Sequence, residues 1–247
     1  MNSRAELQQY LKDHYPELTL SSFQDCLVAY CFPFDYQKFL SLQDELTKYV
    51  KITKDKVFIC CNHSTLGTMG RGDRQNADSG NTSFIPTSLP VHQIKRGGGL
   101  TLHHPGQWIF YPIVKLDADK WTLTKHLGWM MALTREILAD WGLEVIGKRN
   151  PLGVWSGDKK LASLGVGVNR FVSNHGLALN ILPSELPADV FLALNPCGLN
   201  SNVYSSVSEL VKTDVGVCKF QEDFLKLIGQ KVRQGQLHPL PTQDCLL

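Results

Sequence analysis

Apolar residues recur at three- and four-residue steps in three stretches of this chain and gather into short strand-like runs elsewhere. Behind Asp35, a side chain suited to an N-cap, Tyr36, Phe39, Leu40, Leu46, Tyr49 and Val50 share a stripe and predict a helix that packs on a sheet. Thr122 or Thr124 can cap a second helix, with Leu123, Leu127, Met130, Met131, Thr134, Ile137, Leu138 and Trp141 on one face before Gly142 stops it. Phe220, Phe224, Leu227, Ile228, Lys231 and Val232 predict a third. Between them, Lys56 to Cys61, Val91 to Lys95, Leu100 to His104, Gln107 to Val114, Leu143 to Ile146, Leu152 to Trp155, Lys160 to Val168 and Gly176 to Ile181 read as strands, broken by Gly, Pro and Ser-Gly-Asp turns. The polar stretch from Asn62 to Pro90 reads as a long loop, a length that usually carries function in a compact domain. Runs of strands with a few long helices on one side predict an α+β, mixed α/β fold rather than a doubly wound nucleotide fold.

Composition sharpens this picture by exclusion. At 247 residues with 43% apolar content, one core is expected to span residues 1–247, with 1–20 as an N-terminal extension and 235–247 as a C-terminal tail. The 25 Lys and Arg against 23 Asp and Glu form no basic stripe, which argues against nucleic acid as a partner, and no apolar run reaches membrane-spanning length. Glu6, Asp13 and Glu17 interrupt any leader pattern, and seven cysteines without framework spacing suit a reducing compartment, so a cytoplasmic protein is expected.

The candidate chemistry centres on Asn195-Pro196-Cys197-Gly198, where a thiol sits in a turn whose amides can face a reacting carbonyl. Cys197 is the candidate nucleophile. Lys160 leads the small and apolar run Leu161 to Val168, and an ammonium at the mouth of a buried strand would lower a thiol pKa without a histidine base. Composition alone favours the plainer reading, in which Lys159 and Lys160 are both exposed. Arg96-Gly97-Gly98-Gly99 could cradle a phosphate, yet it lacks the dinucleotide and P-loop patterns and suits close approach to an extended ligand equally well. His103, His104, His175 and Cys60-Cys61-x-His63 show no closed metal-site spacing, so no metal is expected. The remaining cysteines read as inert.

Four segments, Arg96 to Gln107, Lys160 to Gly165, His175 to Asn180 and Asn195 to Gly198, occur in the order seen in lipoyl(octanoyl) transferases, which the chain resembles. Asp35-Tyr36 to Gln43 and Thr68-Met69-Gly70-Arg71 add weaker similarity. The resemblance implies the fold of biotin and lipoate protein ligases, a mixed sheet flanked by helices. It implies transfer of octanoyl from octanoyl-acyl carrier protein to a lysine of lipoyl domains, such as those of 2-oxoacid dehydrogenase E2 subunits and the glycine cleavage H protein. No ATP or other cofactor is implied. By the family's pattern Cys197 carries the acyl thioester and Lys160 depresses its pKa. Arg96, Gly97, Gly98, Gly99, Leu100, Thr101, Leu102, His103, Ser163, Leu164, Gly165, Gly176, Leu177 and Ala178 then line the acyl site. Leu102 stands where tyrosine is usual and His104 where glycine is usual, and Gly72 to Ser88 is unlike the family's loop. An ATP-dependent lipoate or biotin ligase and a non-catalytic carrier-protein binding module are the rival readings.

Overall fold

The structure, a computed structural model, describes residues 1–74, 89–186, 201–212 and 214–237. Its centre is an eight-stranded sheet of β1 (Thr19–Ser22), β2 (Cys26–Cys31), β3 (Lys56–Cys61), β7 (Gln107–Ile113), β11 (Val172–Asn180), β10 (Lys159–Asn169), β9 (Leu152–Ser156) and β8 (Ile146–Arg149), in that spatial order. All neighbours pair antiparallel except β2 with β3. A second sheet, in the order β5 (Val91–Gln93), β4 (Leu66–Met69) and β6 (Leu100–His103), stands beside it.

Helices cover both faces of the large sheet, which corrects the expectation of helices on one side. The reason lies in β3 and β7, whose residues are apolar in both directions of the pleat. Val57, Ile59, Ile109 and Tyr111 enter one core with α1 (Arg4–His14) and α2 (Tyr36–Thr53). Phe58, Cys60, Trp108 and Phe110 enter the other with α3 (Leu123–Asp140) and α5 (Val217–Arg233), the short α4 (Val207–Leu210) lying at its edge. Asp35 caps α2 by accepting from Lys38 N–H at 2.9 Å, and it is Thr122 that caps α3.

Three further differences follow from tertiary packing. The segment before Asp35 holds α1, β1 and β2, with Leu7 and Leu11 fully buried, although its polar sequence shows only these two apolar anchors on the helix face. The long polar stretch opens with β4, which β6 and β5 pin on either side. The strand expected at Leu143 to Ile146 begins only at Ile146, because Leu143 and Val145 turn into the core beside α3.

Candidate active site

β10 carries the lysine, and its register decides where that lysine goes. Lys160 pairs with Trp155 and Ser163 with Gly153, with a bulge between Lys160 and Ala162. Without the bulge, strict alternation would send Lys160 and Ser163 to opposite faces; the extra residue re-aims them onto one. Lys160 is 2% exposed, against the reading that both lysines of the turn lie in solvent, while Lys159 reaches outward to donate to Asn202 O at 2.7 Å.

Arg96 is a strut. Its guanidinium donates to Thr68 O (2.7 Å), Thr68 Oγ1 (2.9 Å) and Thr101 Oγ1 (2.8 Å), which ties the glycine turn to β4 and β6. Gly98 has φ of +79°, which favours glycine, and a Cβ on Gly165 would lie 2.8 Å from Arg96 Cδ, so Arg96 keeps its place only while that position is glycine. From Thr68 the hydrogen bonds continue: Thr68 Oγ1 donates to His103 Nε2 at 3.3 Å and His103 Nδ1 to Gln107 Oε1 at 3.0 Å. The Gln107 amide donates to Leu102 O and Asn180 Oδ1, each at 2.9 Å. Asn180 Nδ2 donates to Ser205 O at 3.2 Å, and Ser205 N–H to Lys160 O at 3.1 Å. One chain of hydrogen bonds therefore runs from the Arg96 turn to the lysine.

The histidines around this chain are neutral. Burial holds His103 well below the usual imidazole range, and it lowers His63 and His104 to about 4 and His175 to about 3, Arg96 adding to the effect on His175. His63 spends its nitrogens on Phe34 O (2.7 Å) and Tyr111 Oη (3.2 Å). His175 sits at φ of +56°, where its amide donates to Gln43 Oε1 at 2.7 Å. Cys60 and Cys61 are buried with thiols pushed well above normal, and Cys26 rises to about 12, in keeping with inert roles.

Three spaces meet at Thr101 and Ser163. A cavity of about 520 Å³ is bordered by Lys160, Gly97, Gly98, Gly99, Leu164 and the apolar Leu127 and Leu152. A second, of about 610 Å³, lies toward Leu102, His104, Asn180 and Tyr204. A void of about 20 Å³ lies toward Tyr36, His103 and His175 and is the only one of the three bordered by Gly176, Leu177 and Ala178. Leu100 packs instead with Leu89 and Leu102 beneath the small sheet. Cys197 and its Asn195, Pro196 and Gly198 neighbours lie outside the described residues, as does most of the Gly72 to Ser88 stretch. Gly153 and Trp155, which border the lysine, were not singled out from sequence; their signal is the Gly-Val-Trp run facing Lys160 across one turn.

The model of the lipoyl protein ligase A/B catalytic domain matches residues 35–229, which takes in α2 through most of α5 and the whole of this site. The chain belongs to that family. Its relatives include an octanoyltransferase of Gloeobacter violaceus, 33% identical over 181 residues that cover 73% of this chain and 77% of the relative. An octanoyltransferase of Citrifermentans bemidjiense is 35% identical over 173 residues, covering 70% and 80%. Among solved structures, lipoate-protein ligase A bound with ATP aligns with a TM-score of 0.60 at 14% identity over 81% of this chain and 83% of that one. The bi-partite lipoate protein ligase of Thermoplasma acidophilum aligns at 0.58 and 13% over 81% and 82%. The family's fold is thus the mixed sheet with helices on both faces described above.

Proposed function

We propose that this chain is an octanoyltransferase of lipoate biosynthesis that takes the acyl group from octanoyl-acyl carrier protein and passes it to a lysine of a lipoyl domain, through a thioester on Cys197. The observation that carries the reading is the burial of Lys160 on the face it shares with Ser163, bordering the cavity of about 520 Å³ beside the glycine turn. Leu186 and Asn202, which flank the segment containing Cys197, both border the neighbouring cavity that meets it at Ser163. The apolar wall of Leu127, Leu152 and Leu164 suits an eight-carbon chain, whose burial is worth about 0.8 kcal/mol per methylene.

In the first step the Cys197 thiolate attacks the donor thioester carbonyl, the bond to the carrier's sulfur breaks, and Lys160 gives that leaving thiolate a proton. In the second, the acceptor amine attacks the acyl-enzyme, loses a proton to the now neutral Lys160, and expels the Cys197 thiolate. Thioester-to-amide exchange is downhill, so no nucleotide enters. Arg96, Gly97, Gly98, Gly99, Leu100, Thr101, Leu102 and His103, with Ser163, Leu164 and Gly165 and with Gly176, Leu177 and Ala178, form the walls or second layer of the acyl site. Acceptors are the lipoyl domains of 2-oxoacid dehydrogenase E2 subunits and the glycine cleavage H protein. The reaction is assigned to the cytoplasm, supported by the free thiols of Cys26, Cys31, Cys60, Cys61 and Cys218.

Intact mass after incubation with octanoyl-carrier tests the reading. An octanoyl adduct on the wild type, absent from Cys197→Ser and released by hydroxylamine, is expected. No adduct on folded protein, with ATP-pyrophosphate exchange instead, would assign an ATP-dependent ligase.

A further inference from the structure

We propose that Gly153 and Trp155 of β9 are positioning residues for Lys160: glycine leaves a groove for the lysine stem, and tryptophan, with Tyr204, gives the ammonium aromatic faces. The inference rests on the reading that Lys160 acts on the Cys197 thiol. A Cβ on Gly153 would lie 2.7 Å from Lys160 Cε and collide with Ala162 O, so the stem crosses β9 only because that side chain is missing. Lys160 Nζ lies 5.9 Å from the Trp155 ring centroid and 5.6 Å from that of Tyr204. The Trp155 ring is held in place, and the Tyr204 backbone is tied to that of Lys160. Trp155 pairs with Lys160 in the ladder and donates Nε1 to Pro151 O at 3.2 Å, while Tyr204 forms a parallel bridge with Lys160.

A buried ammonium is costly, and aromatic faces offset that cost through the ring quadrupole. Cations stand nearby among the described residues: Lys148 Nζ is 4.4 Å from the Trp155 centroid, and Arg96 borders the same cavity. The rings of Trp155 and Tyr204 are among the groups that favour keeping the proton on Lys160 Nζ and its position over the cavity.

The test is the pH dependence of Cys197 alkylation, followed by peptide mass in the full-length protein. Trp155→Leu is expected to shift the midpoint up by about half a pH unit, a threefold slower reaction at neutral pH, with Trp155→Phe restoring part of the shift. In a Lys160→Ala background, Trp155→Leu is expected to add nothing, which a merely structural role would not produce. Should Trp155→Leu fail to fold, uniform fluorotryptophan labelling, which keeps the ring's shape and weakens its face, is expected to move the midpoint the same way. A wild-type profile for the Trp155 variants, alongside a shift in Lys160→Ala, overturns this proposal alone. No shift in Lys160→Ala overturns the role of the lysine itself and this inference with it.

Discussion

His103 donates its Nδ1 proton to Gln107 Oε1 at 3.0 Å, and this bond fixes the histidine as one tautomer. The Gln107 amide nitrogen is already spent on Leu102 O and Asn180 Oδ1, so only its oxygen can face the ring, and His103 Nε2 is left to accept from Thr68. The glutamine thus joins β6, β7 and β11 at the point where the spaces of the site meet.

Replacing Gln107 by Leu keeps the volume and removes all three bonds, leaving Leu102 O, the half-buried Asn180 Oδ1 and the buried His103 Nδ1 short of a partner. A loss of about 2–4 kcal/mol in stability is expected. Urea unfolding of the variant checks it, and a midpoint within error of wild type would contradict the network.

Burial of neutral histidines makes stability depend on pH. His63 and His104, lowered to about 4, and His175, lowered to about 3, bind protons more weakly folded than unfolded. Their contribution is whole above the unfolded value near pH 6.5. It is lost as pH falls toward the folded values, at up to about 1.4 kcal/mol per pH unit for each histidine. Unfolding midpoints measured from pH 7.5 to 4.5 should hold level and then fall steeply below about 6.5; a flat profile to pH 5 would contradict neutral burial.

Two glycines of the site should respond differently to alanine. A Cβ at Gly176 collides with the Phe110 carbonyl on the neighbouring central strand, whereas at Gly165 the nearest atom is Cδ of the Arg96 side chain at 2.8 Å. Gly176→Ala is expected to cost about 3 kcal/mol or prevent folding. Gly165→Ala should fold, displace Arg96 and slow octanoyl transfer at least tenfold. Circular dichroism and transfer assays on both variants separate the two outcomes.

The β10–β11 hairpin turns on Arg170 (φ 49°) and Phe171 (φ 66°), a left-handed pair that bulky side chains adopt at a cost. Phe171 is 60% exposed, so little packing compensates. Substituting Asn-Gly at these positions suits the turn and should stabilise the fold by about 1 kcal/mol, or about 3 °C in Tm, with transfer activity unchanged. A lower Tm would mean that Phe171, with Lys115 lying 5.7 Å over its ring, contributes more than its exposure suggests.

The sequence by itself determined the elements whose signal is local. The stripes of α2, α3 and α5, the cap Asp35, the strands at 56–61 and 107–113, and the ordered motifs that mark the family are all written in neighbouring residues, whereas the choice of Thr122 over Thr124 as the cap of α3 came from the structure. The polar α1, whose fully buried residues are Leu7 and Leu11, was not legible, because its helical pattern has meaning only against the core it meets. Coverage of both sheet faces was likewise a tertiary outcome: a continuous apolar run such as Val57 to Cys61 does not say what lies on either side. Most of all, the site was decided by register. Period-two alternation separates Lys160 from Ser163, and only the bulge between Lys160 and Ala162, set by pairing with β9 across the Ser156-Gly157-Asp158 turn, turns the lysine toward the cavity and over Gly153. Even in a local hairpin the residues do not state where a bulge falls, and one inserted residue changes the face of every side chain beyond it, so the side chain that carries the proposed chemistry was visible in the sequence while its direction was not.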